Sequence, residues 1–224
     1  MTITSTVTFS SEADQASGYL ARPGLGRPGI IVLQEWWGLV PHIQDVAGRF
    51  AAQGYVALAP DLYHGKSTVE VAEAEHLMQG LDWGRAAREI AGAVRHLRKV
   101  EGATRVGVMG FCMGGALTII AATQPGVDAY VAFYGFPPAG AVQLDRIAAA
   151  GLIFFGEQEP FFSVPDAKAF AESQRQRGRE AEVIVYPGAG HAFFNNERPE
   201  AYRRDAANDA WRRTLEHFGR HLRG

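Results

Sequence analysis

The stretch Val106-Gly107-Val108-Met109-Gly110-Phe111-Cys112-Met113-Gly114-Gly115 decides how this chain folds. Its first residues are typical of a buried parallel strand, and the apolar run 116–122 that follows is typical of a helix. Glycines on both sides of the cysteine allow a strand and a helix to approach closely through a sharp, strained turn. We therefore expect the Cys112 side chain to stand above a sheet, at a helix N-terminus whose partial positive charge favours a thiolate.

The pattern G-x-C-x-G between a strand and a helix is that of the nucleophile elbow of the α/β-hydrolase fold, with Cys in place of the usual Ser. It predicts that Cys112 is a catalytic nucleophile. The alternative is a glycine-rich turn that carries a buried, inert cysteine, because free cysteine is often buried.

The rest of the chain supports an α/β architecture. Apolar strands alternate with amphipathic helices, which predicts a mainly parallel, doubly wound sheet with helices on both faces and no large cap domain. No linker or repeat interrupts the pattern, so residues 1–224 are predicted to form a single domain. We expect an edge hairpin at 2–10 and 16–22, strands at 30–33, 55–59, 129–133, 152–155 and 182–186, and helices at 43–53, 67–79, 83–100, 163–177 and 200–220, the second of them with a capping box at Ser67 and Glu70.

The totals exclude several classes of protein. A net charge of −2 gives no electrostatic footprint for nucleic acid or an anionic membrane. The single cysteine excludes an intrachain disulfide framework and a cysteine-cluster metal site. No apolar run approaches the roughly 18 residues that span a bilayer, and the N-terminus lacks the features of a signal peptide. We therefore expect a cytoplasmic protein that binds a small molecule, as a monomer or, alternatively, a dimer.

Three strand-end loops carry candidate catalytic groups in the order nucleophile, acid, histidine, which is the order of an α/β hydrolase. His191 follows the last predicted strand, in a Gly-Ala-Gly-His turn, and is the candidate general base. Glu159 follows the preceding strand and is the candidate acid that orients the imidazole. Glu157 competes for this role, and Asp166 is a weaker rival.

The loop Gln34-Glu35-Trp36-Trp37-Gly38 follows an early strand. In this fold the oxyanion hole uses the amide after the nucleophile and one from an early strand-end loop, which predicts the amides of Met113 and Trp36. Glu35 is predicted to enter the same cleft, and a charge at the rim is its alternative. Aromatic residues at strand ends suggest an apolar pocket, which we expect to be lined by Trp37, Tyr63, Phe111, Tyr134, Phe161 and Phe193.

His217 and His221 are spaced i and i+4 near the C-terminus, so they could share a metal ion. No motif places a carboxylate beside them. We therefore interpret them as one face of the last helix and expect no metal site.

The sequence resembles the dienelactone hydrolases, or carboxymethylenebutenolidases, from about Gly18 to the C-terminal helix. The resemblance is carried by Gln34-Glu35-Trp36-Trp37-Gly38-Leu39, Ala59-Pro60-Asp61-Leu62-Tyr63-His64-Gly65, Gly110-Phe111-Cys112-Met113-Gly114-Gly115 and Gly190-His191-Ala192-Phe193. It implies a Cys–His–acid triad, no cofactor, and hydrolysis of enol-lactones through an acyl-enzyme on the cysteine. It also implies that Glu35 contacts the resting thiol and shifts when substrate binds.

Two departures from the family pattern bear on specificity. The family's triad acid is an Asp, whereas the matching residue here is Glu159. The family's two carboxylate-binding arginines correspond to Val71 and Asn195, although Arg198 lies close enough in sequence to substitute.

The sequence therefore predicts a cysteine-dependent hydrolase of a small lactone or ester. The alternative is a ligand-binding or redox-sensing protein on the same scaffold, in which a lone cysteine forms a sulfenic acid.

Overall fold

Strands and helices alternate along most of the chain. The structure, a computed structural model, describes residues 2–12, 14–138, 140–141 and 143–224. The strands are β1 (Ile3–Ser11), β2 (Asp14–Arg22), β3 (Gly29–Leu33), β4 (Val56–Pro60), β5 (Val106–Phe111), β6 (Ala129–Phe133), β7 (Ala150–Gln158) and β8 (Ala181–Gly190). The helices are α1 (Pro41–Ala52), α2 (Val71–Gln79), α3 (Trp83–Lys99), α4 (Met113–Ala121), α5 (Val164–Gln176) and α6 (Arg204–Leu222), with a short 3-10 helix at Leu144–Arg146.

All of these strands belong to one sheet, in the order β1-β2-β4-β3-β5-β6-β7-β8. β1 pairs antiparallel with β2, and β2 with β4. Every neighbouring pair from β4 to β8 is parallel. This is the α/β-hydrolase fold, and the described residues include no large cap domain. The predicted fold class and the predicted edge hairpin are both confirmed.

Helices cover both faces of the sheet. Successive residues of each central strand point to opposite sides, so each strand contributes apolar side chains to the core on both faces. In β3, Ile30 and Val32 belong to an apolar cluster with α1 and α6. Ile31 and Leu33 belong to a second cluster with α3 and the start of α4. All four side chains are fully buried. Among the described helices, none is both long and apolar enough to cross a bilayer.

Several element boundaries differ from the prediction. α2 begins at Val71, and its N-cap, Glu70, makes no side-chain capping bond, so the predicted capping box at Ser67 is wrong. β8 extends to Gly190 instead of ending at Tyr186. After a register irregularity between Gly156 and Gln158, the pairing of β7 with β8 resumes between Gln158 and Gly190. The residues that follow these two strands are therefore held side by side.

Candidate active site

The nucleophile elbow forms between β5 and α4. Cys112 is the N-cap of α4 and has φ 55° and ψ −118°, a conformation that L-residues rarely adopt. A Cβ on Gly114 would lie within 3 Å of the carbonyl oxygens of Leu33 and Gln34. Glycine is therefore required here for α4 to start directly against the end of β3.

The Cys112 thiol is protonated in this arrangement. Burial raises the pKa of the thiol well above its usual range, and the nearby carboxylates of Glu35 and Glu159 raise it further. The Met113 amide at the start of α4 opposes this rise. A helix N-terminus stabilises an anion by about 0.3–1 kcal/mol, whereas taking a charge out of water costs several kcal/mol. The sequence-based expectation of a favoured thiolate is therefore contradicted by the raised pKa of the thiol.

His191 and Glu159 lie next to each other because the pairing of Gln158 with Gly190 brings the ends of β7 and β8 together. The imidazole Nδ1 lies 2.8 Å from Glu159 Oε2 and 3.1 Å from Oε1. The Phe161 amide donates to the same carboxylate at 2.9 Å. The Glu159 side chain is fully buried. The carboxylate is thus fixed in place, and it positions the imidazole ring through Nδ1.

The two rival acids lie elsewhere. Glu157 is exposed and accepts a hydrogen bond from the Gly188 amide at 2.9 Å. Asp166 lies in the first turn of α5, where its own amide donates to the Ser163 hydroxyl. Neither carboxylate is a hydrogen-bond partner of His191 among the described contacts.

Aromatic rings enclose His191. Tyr134 and Phe161 both lie edge-on to the imidazole at 4.9 Å between centroids, and Phe162 stacks on it at 6.0 Å. Its side chain is 16% exposed. In the described part of the chain no hydrogen bond joins the imidazole to the Cys112 thiol, although both residues line the same cavity.

Glu35 is buried at the bottom of this site, with 2% of its surface exposed. Its two oxygens have separate partners: the Tyr134 hydroxyl donates to Oε1 at 3.2 Å, and the Asn195 amide donates to Oε2 at 2.7 Å. A neutral amide, that of Asn195, therefore holds one oxygen of the carboxylate. The sequence did not suggest this contact, because the two residues are 160 positions apart.

The predicted oxyanion-hole residues flank the cysteine. Trp36 lies in the loop after β3 and lines the cavity, and Met113 opens α4. Within the described residues, neither amide donates to a backbone carbonyl or a side-chain oxygen. The Met113 amide contacts the Cys112 sulfur.

The cavity in front of Cys112 has a volume of about 260 Å³ and an apolar wall. Trp37 and Phe161 line it, as predicted from the sequence. The other four predicted pocket residues do not; Tyr63, Phe111, Tyr134 and Phe193 are buried beneath it in the core. Some aromatic residues at strand ends line the cavity and others belong to the hydrophobic core. The residue type alone does not distinguish these two positions.

Several lining residues were not predicted. Val71 and Met78 from α2 and Ala192, Glu200 and Ala201 from the segment after β8 complete the wall, together with Phe162. One signal was present in the sequence. α2 carries more apolar residues than its docking uses, since Ala74 is its one fully buried residue. Val71 and Met78 face the cavity, whereas Leu77 packs against the core.

Arg198 also lines the cavity. Its guanidinium carbon lies 3.8 Å from the centre of the Trp37 ring, a cation–π contact that fixes the charge at the cavity wall. Within the described ion pairs, no carboxylate neutralises Arg198, whereas Glu200 contributes an acidic group to the same wall.

The chain is similar over nearly all of its length to known dienelactone hydrolases. The model of the dienelactone hydrolase family matches residues 16–222. A Bradyrhizobium protein named as a candidate 2-oxo-3-(5-oxofuran-2-ylidene)propanoate lactonase is 31% identical, with 97% of this chain and 94% of the relative covered. A Synechocystis protein named as a candidate carboxymethylenebutenolidase is 30% identical, with 98% of each chain covered.

A solved structure gives the same result at the level of the fold. The crystal structure of a candidate dienelactone hydrolase from Klebsiella pneumoniae matches with a TM-score of 0.86 and 26% identity, covering 99% of this chain and 100% of that one. The family match spans nearly all of the sequence, including the elbow, the Glu35 loop and the histidine loop. The chain therefore belongs to the dienelactone hydrolase family, and it is a hydrolase that acts on esters or lactones.

Proposed function

We propose that the protein hydrolyses a small lactone or ester through an acyl-enzyme on Cys112. The observation that carries the proposal is the shared cavity: the cysteine on its strained elbow and the histidine held by Glu159 open onto the same space of about 260 Å³. An apolar cavity of this size, with few polar groups, suits a small organic substrate.

In the first half of the reaction the imidazole of His191 removes the proton from the Cys112 thiol, and the sulfur attacks the substrate carbonyl carbon. The Trp36 and Met113 amides donate to the oxyanion that forms. When the carbonyl re-forms, the bond to the leaving oxygen breaks, and the imidazolium returns its proton to that oxygen. Glu159 stabilises the imidazolium and keeps Nδ1 protonated.

In the second half a water molecule attacks the thioester carbon while His191 accepts its proton. The oxyanion again forms against the same two amides. Its collapse breaks the carbon–sulfur bond, and the proton returns to the sulfur. The product acid leaves, and the neutral thiol is restored.

Glu35 controls the first proton transfer. Burial and, after it, the charge of Glu35 raise the pKa of the Cys112 thiol and keep it neutral, which protects the sulfur from unwanted chemistry. A substrate that displaces the Glu35 carboxylate removes this unfavourable charge and favours the thiolate. Asn195 and Tyr134 are the groups that hold the carboxylate and would guide its movement.

The same protonation state argues against the redox-sensing alternative. Sulfenic acid formation needs an accessible thiolate with a low pKa. Here burial, then Glu35, raises the pKa of the thiol. A hydrolase that forms its thiolate only with substrate in place fits these groups better than a sensor does.

Stopped-flow hydrolysis of p-nitrophenyl acetate tests the proposal. We expect a burst of about one p-nitrophenolate per active site, followed by a slower steady state, because thioester hydrolysis follows acylation. Mass spectrometry of acid-quenched protein should show one acetyl group on Cys112. Turnover with no acetyl group on the cysteine under these conditions would contradict covalent catalysis, and the absence of any turnover across esters and lactones would leave a binding protein.

We further propose that Arg198 binds a carboxylate of the substrate, as the lactone named for the Bradyrhizobium relative carries one. A guanidinium pairs with a carboxylate through two parallel hydrogen bonds. Arg198→Gln should therefore raise KM for a carboxylate-bearing dienelactone by about 10- to 100-fold and change KM for the neutral p-nitrophenyl acetate by less than about 3-fold.

Arg204→Gln is the matched control, because Arg204 is an exposed arginine paired with Asp205 at the start of α6. It should leave both substrates unchanged. An equal loss of Arg198→Gln activity on the charged and the neutral substrate would show that Arg198 acts through its packing on Trp37.

A further inference from the structure

A second group of chemically active side chains lies near the amino ends of the strands, at the end of the sheet opposite to Cys112. His217 and His221 project from one face of α6, and Glu180 precedes β8. The Glu180 carbonyl accepts from the Gly151 amide at 2.9 Å, which fixes this residue at the amino end of the sheet. The tertiary structure thus supplies the carboxylate that no sequence motif places beside the two histidines.

The three side chains converge. His221 Nε2 lies 3.2 Å from Glu180 Oε2, and His217 Nδ1 lies 3.9 Å from Glu180 Oε1. One ligand atom from each residue lies within 4.8 Å of the other two. Ligand atoms bound tetrahedrally at about 2.0–2.1 Å from one metal ion are separated by about 3.3 Å. Small side-chain rotations would bring all three atoms to that separation.

The histidines are oriented as metal ligands are. His217 Nε2 donates to the Ala150 carbonyl at 3.2 Å, so Nδ1 carries the lone pair that faces Glu180. Its side chain is 2% exposed. A neutral imidazole with one unprotonated nitrogen is the form that binds a metal. Among the described residues, the His221 Nε2 atom is buried and makes no aligned hydrogen bond, although Glu180 Oε2 lies 3.2 Å away.

We propose that Glu180, His217 and His221 form a binding site for a divalent transition metal ion of the zinc class. Two imidazole nitrogens and one carboxylate oxygen suit zinc, nickel, cobalt or copper, whereas magnesium and calcium prefer oxygen ligands alone. An adjacent cleft of about 590 Å³, lined in part by Glu180 and His217, leaves room for a water molecule as the fourth ligand.

Arg220 competes with the ion for the carboxylate. Its guanidinium lies 3.3 Å from Glu180 Oε1, but the side chain is 65% exposed and has room to swing away. An exposed ion pair of this kind contributes about 0–1 kcal/mol. Coordination of a metal by three ligands outweighs that interaction.

A bound ion would link α6 to the segment that enters β8 and so hold the helix against β7 and β8. The loops after these two strands carry Glu159 and His191 at the other end of the same strands. A bound ion would thus stabilise the half of the sheet that presents the acid and the base. It would take no part in the chemistry of the cysteine.

The test uses full-length Cys112→Ala protein freed of metal by a chelator, so that the thiol cannot bind the ion. Titration with Zn²⁺ against a chromophoric chelator should show one ion per chain with a Kd on the order of 1 μM or tighter. Zn²⁺ at 100 times Kd should raise the midpoint of thermal unfolding by about 5–10 °C. Co²⁺ should give the visible absorption of a tetrahedral complex.

His221→Gln and Glu180→Gln should each weaken Zn²⁺ binding at least 10-fold and abolish the thermal shift. Glu182→Gln is the matched control, since Glu182 lines the same cleft but contacts neither histidine. Arg220→Gln should tighten binding, because it removes the competing cation. Binding that is absent below about 0.1 mM, or that is unchanged in Glu180→Gln and His221→Gln, would overturn the proposal.

Discussion

Cys112→Ala lowers kcat/KM for a lactone and for p-nitrophenyl acetate by about 10⁴- to 10⁶-fold, and this is the largest effect that we expect of any substitution. Without the sulfur no acyl-enzyme forms, so the burst disappears together with the acetyl adduct. A residual rate from the oxyanion-hole amides and from binding in the cavity remains. Stopped-flow and steady-state assays of the purified variant measure both quantities.

Cys112→Ser is the informative companion. It keeps a nucleophilic atom on the same elbow, whose φ of 55° is set by the close approach of α4 to β3 and not by the sulfur. The hydroxyl is far harder to deprotonate beside Glu35 than the thiol, so Cys112→Ser should lose about 10²-fold or more. A Cys112→Ala protein that is folded and keeps over one tenth of wild-type activity would remove the cysteine from the mechanism.

Glu159→Gln lowers kcat/KM by about 10³- to 10⁴-fold, which is the second large effect that we expect. The glutamine has the same length, so the hydrogen bond from the Phe161 amide survives. It lacks the charge that stabilises the imidazolium, and its amide group no longer selects the tautomer with a proton on His191 Nδ1. The loss should fall mainly on kcat, since Glu159 does not line the cavity.

Glu157→Gln provides a matched control on the same loop. Glu157 is exposed and bonds to the Gly188 amide, with no contact to the histidine. Its substitution should change kcat/KM by less than about 3-fold, because surface substitutions away from the site have small effects. If the two variants lost activity equally, the orienting role would not belong to Glu159.

Glu159 reaches the imidazole although its side chain is one methylene longer than that of an aspartate. Glu159 follows the last β7 residue that pairs with β8, at the bridge between Gln158 and Gly190. Both its oxygens reach His191 Nδ1 within 3.1 Å, and the Phe161 amide holds the group from the other side. The loop thus accommodates the longer side chain at hydrogen-bonding distance.

The sequence by itself determined the fold class and the elbow. These follow from local signals: apolar strands, amphipathic helices, and glycines on both sides of the cysteine. It also brought Cys112 and His191 to strand ends, because parallel strands present their following loops at one edge of the sheet. It left Glu159 and Glu157 as rivals, since both lie in the same loop.

Tertiary structure alone decided the rest, because it depends on contacts between distant residues and on burial. The β7–β8 register placed Glu159 beside the imidazole of His191. The packing of the core buried four aromatic residues away from the cavity wall, namely Tyr63, Phe111, Tyr134 and Phe193. Burial outweighed the helix N-terminus and kept the thiol protonated. The fold also places Glu180 beside His217 and His221, because β8 begins next to α6. No local sequence pattern indicates this contact.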